Sequence, residues 1–262
     1  MSNILSIPIK ENKKLKAILD FVDGSIELQT LWKCANIQAI DRLGYNDHGR
    51  VHVKIVSNRA LKLLRILFEK NIEPSIKLNY GMTVEDSEIV VILASIMHDL
   101  GMAVIREGHE IFSAQLAKGI LEKCLKNVYS IEEEIIITSE VLHAILSHHS
   151  PAKPLTLEAG IVRIADALDM ERGRARIPYE AGRINIHSVS ALSIKKVNIL
   201  KGEDSDKPIK IIIEMSNPAG IFQVDSLLGT KIKDSGLEEY IQVEAIIGDE
   251  KKKILFDKGF KN

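Results

Sequence analysis

Five helical runs each carry histidine or aspartate onto an otherwise apolar face, and this pattern constrains the possible fold more than any other feature of the sequence. His52 shares a face with Ile55, Val56 and Leu63. The apolar run over residues 89–97 ends on His98 and Asp99, just before the helix-stopping Gly101. His109 begins a run aligned with Phe112, Leu116 and Ile120. His148 and His149 close the helix that carries Val141, Ala144 and Ile145, and Asp166 lies in "VRIADALDM". Burying so many ionisable groups is costly unless something pairs with them, and divalent cations would offset that cost for all of them together. His52, His98, Asp99 and Asp166 make a four-ligand set for one ion. His109, His148 and His149 supply a second, with the Asp99 carboxylate able to bridge. Mixed imidazole and carboxylate ligation without thiolate suits Mn, Fe, Ni or Zn rather than Mg or Ca alone.

The helical period holds from Glu11 to about Met170, punctuated by Gly24, Gly44, Pro74, Gly81, Gly101 and Gly108, and reads as roughly six or seven helices. Thr83 with Asp86, and Ser130 with Glu133, have capping-box spacing; they mark the starts of the helices that carry His98 and the His148–His149 pair. After "DMERGRARIP" the period changes. Ile209, Ile211, Ile213 and Met215 alternate with polar Lys210 and Glu214, as a half-buried strand requires. A helix over residues 222–233 and a strand over 240–247 are expected to follow. The expected fold class is mainly α: an all-helical domain at residues 1–176, then a small α+β domain at 177–262 that could dimerise, form a lid or regulate. The runs "KKVNILK" and "DEKKK" read as solvated strand edges.

With 262 residues, 45% of them hydrophobic, the chain can bury a sizeable core, in which Trp32 belongs beside Leu28 and Leu31. Lys and Arg number 35 against 36 Asp and Glu, a net charge of -1, so no global basic field exists to drive nucleic-acid binding and no nucleic-acid partner is expected. Cys34 and Cys124 sit inside helical patterns and read as buried, reduced thiols, which points to the cytoplasm. The N-terminal stretch has no apolar targeting segment, and residues 89–97 are too few to span a bilayer, so no membrane association is expected either.

The ordered series His52, His98-Asp99, His109, His148-His149 and Asp166 resembles that of the HD-domain metal-dependent phosphohydrolases, over roughly residues 45–170. "RIADALDM" also resembles the segment of HD-GYP phosphodiesterases that carries their last metal aspartate. After His149, however, comes "SPAKPL" with no GYP loop, so that subfamily's cyclic-dinucleotide preference does not carry over. The seven-ligand assignment corresponds to the two-metal variant of the superfamily; simpler relatives use the first four ligands.

What the resemblance implies is hydrolysis of a small-molecule, nucleotide-like phosphate ester, by a phosphodiesterase or phosphatase, with two divalent transition-metal ions bridged by Asp99 activating water to attack phosphorus. His48, one turn before His52, is the expected general acid for the leaving oxygen, or a support for the ligands. Arg172 and Arg174 leave the Asp166 helix where guanidinium forks suit substrate phosphate. Asp169 shares a face with Asp166 and is expected to orient a ligand rather than bind metal, while His143 points away from the histidine pair and reads as structural. Two rivals stand beside hydrolysis. Some members of the superfamily hold a mixed-valence di-iron centre and oxidise carbon, and a non-enzymatic nucleotide-binding module that dimerises through its second domain is the other alternative.

Overall fold

A computed structural model describes residues 3–149, 151–173, 186–203, 206–248 and 252–255. Its helical part comprises α1 (Lys13–Gly24), α2 (Ile26–Asn36), α3 (Arg50–Glu69), α4 (Ser75–Tyr80), α5 (Val84–Met97), α6 (His109–Leu125), α7 (Ile131–Ser147) and α8 (Leu157–Leu168). A π-helical turn, Ile37–Arg42, extends α2, and a 3-10 turn, Leu100–Ala103, follows the histidine and aspartate that end α5. Both capping boxes form as their spacing predicts, at Thr83–Asp86 and Ser130–Glu133.

Helix α5 is the axis of the molecule. Every residue from Asp86 to Met97 is buried, because α1, α3, α7 and α8 all pack around it, and a helix that is apolar on all sides is stable only when so enclosed. Trp32 on α2 closes its C-terminal end, with the indole Nε1–H donating to the Ile96 carbonyl at 3.0 Å, one of the last-turn acceptors that the helix itself leaves without a donor. The short α4 starts at Pro74, which has no side-chain acceptor to cap it. The cap comes instead from Glu158 on α8, whose carboxylate accepts from the Ser75 and Ile76 amides at 3.2 and 3.1 Å.

Beyond α8 come α9 (Ile186–Leu192) and a four-stranded sheet in the order β1 (Ile194–Lys201), β2 (Ile209–Met215), β3 (Ile241–Ile247), β4 (Lys252–Leu255). The outer pairs are antiparallel and the central pair is parallel, Ile211 opposite Val243. A parallel pair needs a crossover. Here it runs through a π-helical stretch, Gln223–Gly229, into the single-turn α10 (Thr230–Lys233), so the segment expected as one helix over 222–233 is helical but wound wide at first. In β2 the residues Ile209, Ile211, Ile213 and Met215 are all buried while their neighbours are half-buried, the alternation read from sequence. Lysine-bearing β1 and β4 are the two edges.

The sheet lies against α3 through β1 and β2, and one continuous apolar core runs from Leu5 in the helical part to Ala245 in β3. Residue 176, where the domain boundary was expected, lies outside the described residues. Among the described residues no helix is long and apolar enough to cross a membrane. Both cysteines are free thiols, but only Cys124 is buried, its thiol pushed up to about 12 by burial. The expectation that Cys34 is buried is incorrect: Leu28, Trp32 and Ala35 take the inward face of α2 and leave Cys34 exposed.

Candidate metal centre

Each buried histidine spends one ring nitrogen on holding its own position. His52 Nδ1 meets Asp169 Oδ2 at 2.6 Å, His98 Nδ1 the Ser95 carbonyl at 3.0 Å, His109 Nδ1 the Arg106 carbonyl at 3.0 Å, and His148 Nδ1 the Ile145 carbonyl at 2.6 Å. A carbonyl or carboxylate cannot donate, so a neutral ring at His52, His98 or His148 carries its proton on Nδ1 and turns Nε2 to the centre as an acceptor, whereas His109 Nδ1 also lies 3.2 Å from Arg106 Nη1. The consequence is a buried centre in which acceptors face acceptors. His52 Nε2 lies 3.1 Å from His98 Nε2, and His109 Nε2 lies 3.3 Å from His148 Nε2, with carboxylate oxygens between them. Neutral lone pairs and anionic oxygens at such separations repel one another unless cations stand among them.

The two carboxylate oxygens of Asp99 face different histidines, while His98 lies within reach of both sides. Asp99 Oδ2 is 3.2 Å from both His52 Nε2 and His98 Nε2, and Asp166 Oδ1 is 3.4 and 3.8 Å from the same two nitrogens. Asp99 Oδ1 turns the other way, 3.1 Å from His109 Nε2 and 3.7 Å from His148 Nε2. Ligand atoms bound about 2.1 Å from one ion stand about 3.0 Å apart at an octahedral right angle and about 3.4 Å apart in a tetrahedron, so the spacing fits the donor set of transition-metal sites. His52, His98 and Asp166, and again His98, Asp99 and His148, lie close enough to hold an ion.

Burial alone would raise the Asp99 carboxyl, but the imidazoles of His98, His48, His109 and His52 around it outweigh burial and hold it well below the usual carboxylate range. Asp166 behaves the same way: burial is outweighed by the Lys231 ammonium and by His52 and His98. Burial, reinforced by His98, drives His148 well below the ordinary imidazole value and keeps it neutral. Charged carboxylates and a neutral imidazole are the protonation states that metal ligation needs.

The loop and turn geometry explains why these side chains converge. Asp47 Oδ1 accepts the Gly49 and His52 amides at 3.0 and 3.1 Å, so an aspartate outside α3 caps its first turn and aims His52 inward. A Cβ on Gly101 would stand 2.0 Å from the His109 carbonyl oxygen, so only glycine lets the turn after Asp99 press against the first turn of α6. The Gly101 amide also donates to Ser113 Oγ at 2.8 Å, and together these contacts bring His109 to Asp99.

His149 is half-buried, its ring 5.9 Å from that of His109 and 6.0 Å from that of His148. His48 precedes α3 rather than lying on it, yet its ring is 5.8 Å from that of His52. Its Nδ1 lies 2.8 Å from the Asn46 carbonyl and its main-chain amide donates to Asn36 at 2.8 Å. Asp169 orients His52, as expected. His143 accepts the Leu155 amide at 3.0 Å and serves the loop after α7. Arg172 is exposed, and Arg174 lies outside the described residues. Sequence reasoning missed Arg59, which donates to the Leu168 carbonyl and to Glu171 at 2.9 Å and stands 3.9 Å from Asp169; its position seven residues after His52 on the same helix face was a usable signal. It also missed Lys231, for which no local signal existed.

A helical domain in which five helices direct imidazole nitrogens and carboxylates into one buried, thiolate-free centre is compatible with divalent-metal binding. Residues 48–171, just under half of the chain, match the HD-domain family model, so this segment is an HD domain. It is 46% identical to uncharacterized protein MJ1020 of Methanocaldococcus jannaschii over 90% of both chains. It is also 29% identical over 159 residues to ribonuclease Y of Geotalea uraniireducens, covering 57% of this chain and 27% of that one. Ribonuclease Y of Desulforamulus reducens is 37% identical over 83 residues, 32% of this chain and 14% of that one. The chain thus spans about a quarter or less of the length of these ribonucleases. No solved structure matches.

Proposed function

We propose that the protein is a two-metal phosphohydrolase acting on a small, nucleotide-like phosphodiester or phosphomonoester. The observation that carries this reading is the division of Asp99 between the two ligand groups, Oδ2 towards His52 and His98 and Oδ1 towards His109 and His148. One carboxylate with an oxygen in each group is what a bridged ion pair requires. His52, His98, Asp99 and Asp166 would hold the first ion; Asp99, His109, His148 and His149 would hold the second. When bound, Mn, Fe, Ni or Zn ions at this donor set supply Lewis acidity, acidifying water and neutralising charge on the phosphoryl oxygens.

The chain's own groups do the rest. Asp169 and the three carbonyls keep the imidazole rings in register, so the ligands need not reorganise during reaction. His48, held by Asn46 and Asn36 beside His52, donates a proton to the leaving oxygen. Arg172, exposed just beyond the Asp166 helix, meets a substrate phosphate. The ribonuclease Y relatives favour a diester over a monoester, and the net charge of -1 favours a small molecule over a polymer.

The test is turnover of bis(p-nitrophenyl) phosphate and p-nitrophenyl phosphate by Mn-loaded protein, beside a chelated sample and Asp99→Ala. Metal-dependent turnover that Asp99→Ala reduces to the chelated level is expected, and His48→Gln should lower kcat by about 100-fold while metal content stays unchanged. Protein that retains two ions per chain and hydrolyses neither ester would overturn the reading, and oxygen consumption by the iron-loaded form would then identify the di-iron oxygenase.

A further inference from the structure

The C-terminal unit touches the metal-bearing helix along one narrow stripe. On α8, Gly160, Arg163 and Asp166 recur every third residue and so share a face. A Cβ on Gly160 would stand 2.4 Å from the Ser235 carbonyl oxygen, which places the turn after α10 directly on the helix backbone. One step along, Arg163 Nη2 faces Asp234 Oδ2 at 3.6 Å; a further step along, Lys231 Nζ donates to Asp166 Oδ2 at 2.5 Å. Lys231 and Asp234 are themselves three residues apart. Two complementary pairs on matched spacings therefore set the register, since sliding by one step would place Lys231 against Arg163.

The two pairs have different surroundings. Asp234 also binds Lys153 at 2.9 Å, and Arg163 donates to the Ser147 and Ala152 carbonyls at 3.0 and 2.7 Å, so this half of the stripe fastens the loop that follows His149. The Lys231 half reaches the metal centre. Asp166 turns Oδ1 to His52 and His98 while Oδ2 takes the lysine, so the ammonium stands on the outer oxygen of a metal-ligating carboxylate. It also stands on the open side: side-chain exposure is 0% for His52 and His98 and 6% for Asp99, but 15% for Asp166 and 22% for Lys231. An ammonium has three donors, and one of them satisfies Asp166. A cation there purely to balance Asp166 would be redundant with an ion bound at Oδ1, whereas a cation at the mouth of the centre meets each anion that enters.

We propose that Lys231 is a substrate-binding residue that holds a non-bridging phosphoryl oxygen of the ester, delivered to the helical metal centre by the crossover between β2 and β3. The proposal rests on the phosphohydrolase reading and gives the C-terminal unit a defined role: the stripe along α8 completes the site. Lysine suits the task as a point charge for phosphate, and its contact with Asp166 keeps it from straying into solvent.

The experiment is a titration of inorganic phosphate into the Mn-loaded full-length chain, followed by ³¹P relaxation, on wild type, Lys231→Met, Lys231→Arg and Asp234→Ala, with metal content measured for each. Lys231→Met should bind phosphate about 10- to 100-fold more weakly, as expected for the loss of a charged hydrogen bond. Lys231→Arg, which restores the charge, should lie within about threefold of wild type. Asp234→Ala, which cuts the same stripe without touching Asp166, should do the same, with metal content equal throughout. In ester hydrolysis the Lys231→Met loss should appear mainly in KM. Phosphate binding by Lys231→Met equal to wild type, loss of metal from that variant, or an equal defect in Asp234→Ala would each overturn the assignment. A wild-type protein that holds its ions but neither binds phosphate nor hydrolyses either ester would overturn the phosphohydrolase reading itself, and Lys231 with it.

Discussion

Asp169 meets His52 Nδ1 at 2.6 Å and so decides which nitrogen of that ring faces the centre. Removing such a support leaves the ligand in place but free to rotate or change tautomer, and Asp169→Ala should weaken metal binding by about 10- to 100-fold, measurable by competition with a chromogenic chelator. At the other end of α5, Asp86 has a purely structural role. It closes the capping box with Thr83, accepts from Tyr129 Oη at 2.7 Å and pairs with Lys14 at 2.8 Å. Burial would raise its carboxyl, but Lys14, Thr83 and Tyr129 outweigh burial and lower it. A carboxyl with a lower folded than unfolded pKa contributes stability above its unfolded value, about 4, and loses it as the pH falls through the folded one. Asp86→Asn should therefore cost about 2 kcal/mol at pH 7 and lessen the loss of stability on acidification, both read from urea midpoints of chelated protein at pH 7 and pH 3.

At the scale of elements, the opening of α6 depends on the turn that follows α5. Backbone atoms of His109 and Ser113 occupy the space a Gly101 side chain would need, and backbone cannot swing aside as a flexible side chain would. Gly101→Ala should destabilise the fold by about 1–3 kcal/mol, and because α6 carries His109 the variant should also lose metal; thermal unfolding and metal analysis of the same sample check both. The elements differ in how far the sequence revealed them. Capping boxes, the fully apolar α5 and the alternation of β2 depend on neighbours within a few residues, and all were legible. The wide turns at Ile37–Arg42 and Gln223–Gly229 were not, since a π-helical ladder has no distinct local pattern. Helix α4 was equally hidden, because its cap, Glu158, lies 83 residues from Ser75 in the chain.

Over the whole molecule, the centre gathers lone pairs and carboxylates inside a continuous apolar core, and ions that bind the folded state alone would stabilise it by mass action. At about a thousand times the dissociation constant this is worth about 4 kcal/mol, and for a chain of this size it should raise Tm on the order of 10 °C over chelated protein, read by calorimetry with and without Mn. The sequence by itself determined which helices would carry the buried histidines and carboxylates and which faces would turn inward, because periodicity and capping are set by residues within a turn or two. It also supplied the donor types that exclude a thiolate site. Tertiary structure alone decided that the two oxygens of Asp99 part towards different histidine groups and that Arg59 reaches Glu171, 112 residues away. Tertiary structure likewise brought Lys231 to Asp166 across 65 residues and the sheet onto α3. Such contacts arise from how separate elements dock in one core, and no local pattern in the chain records them.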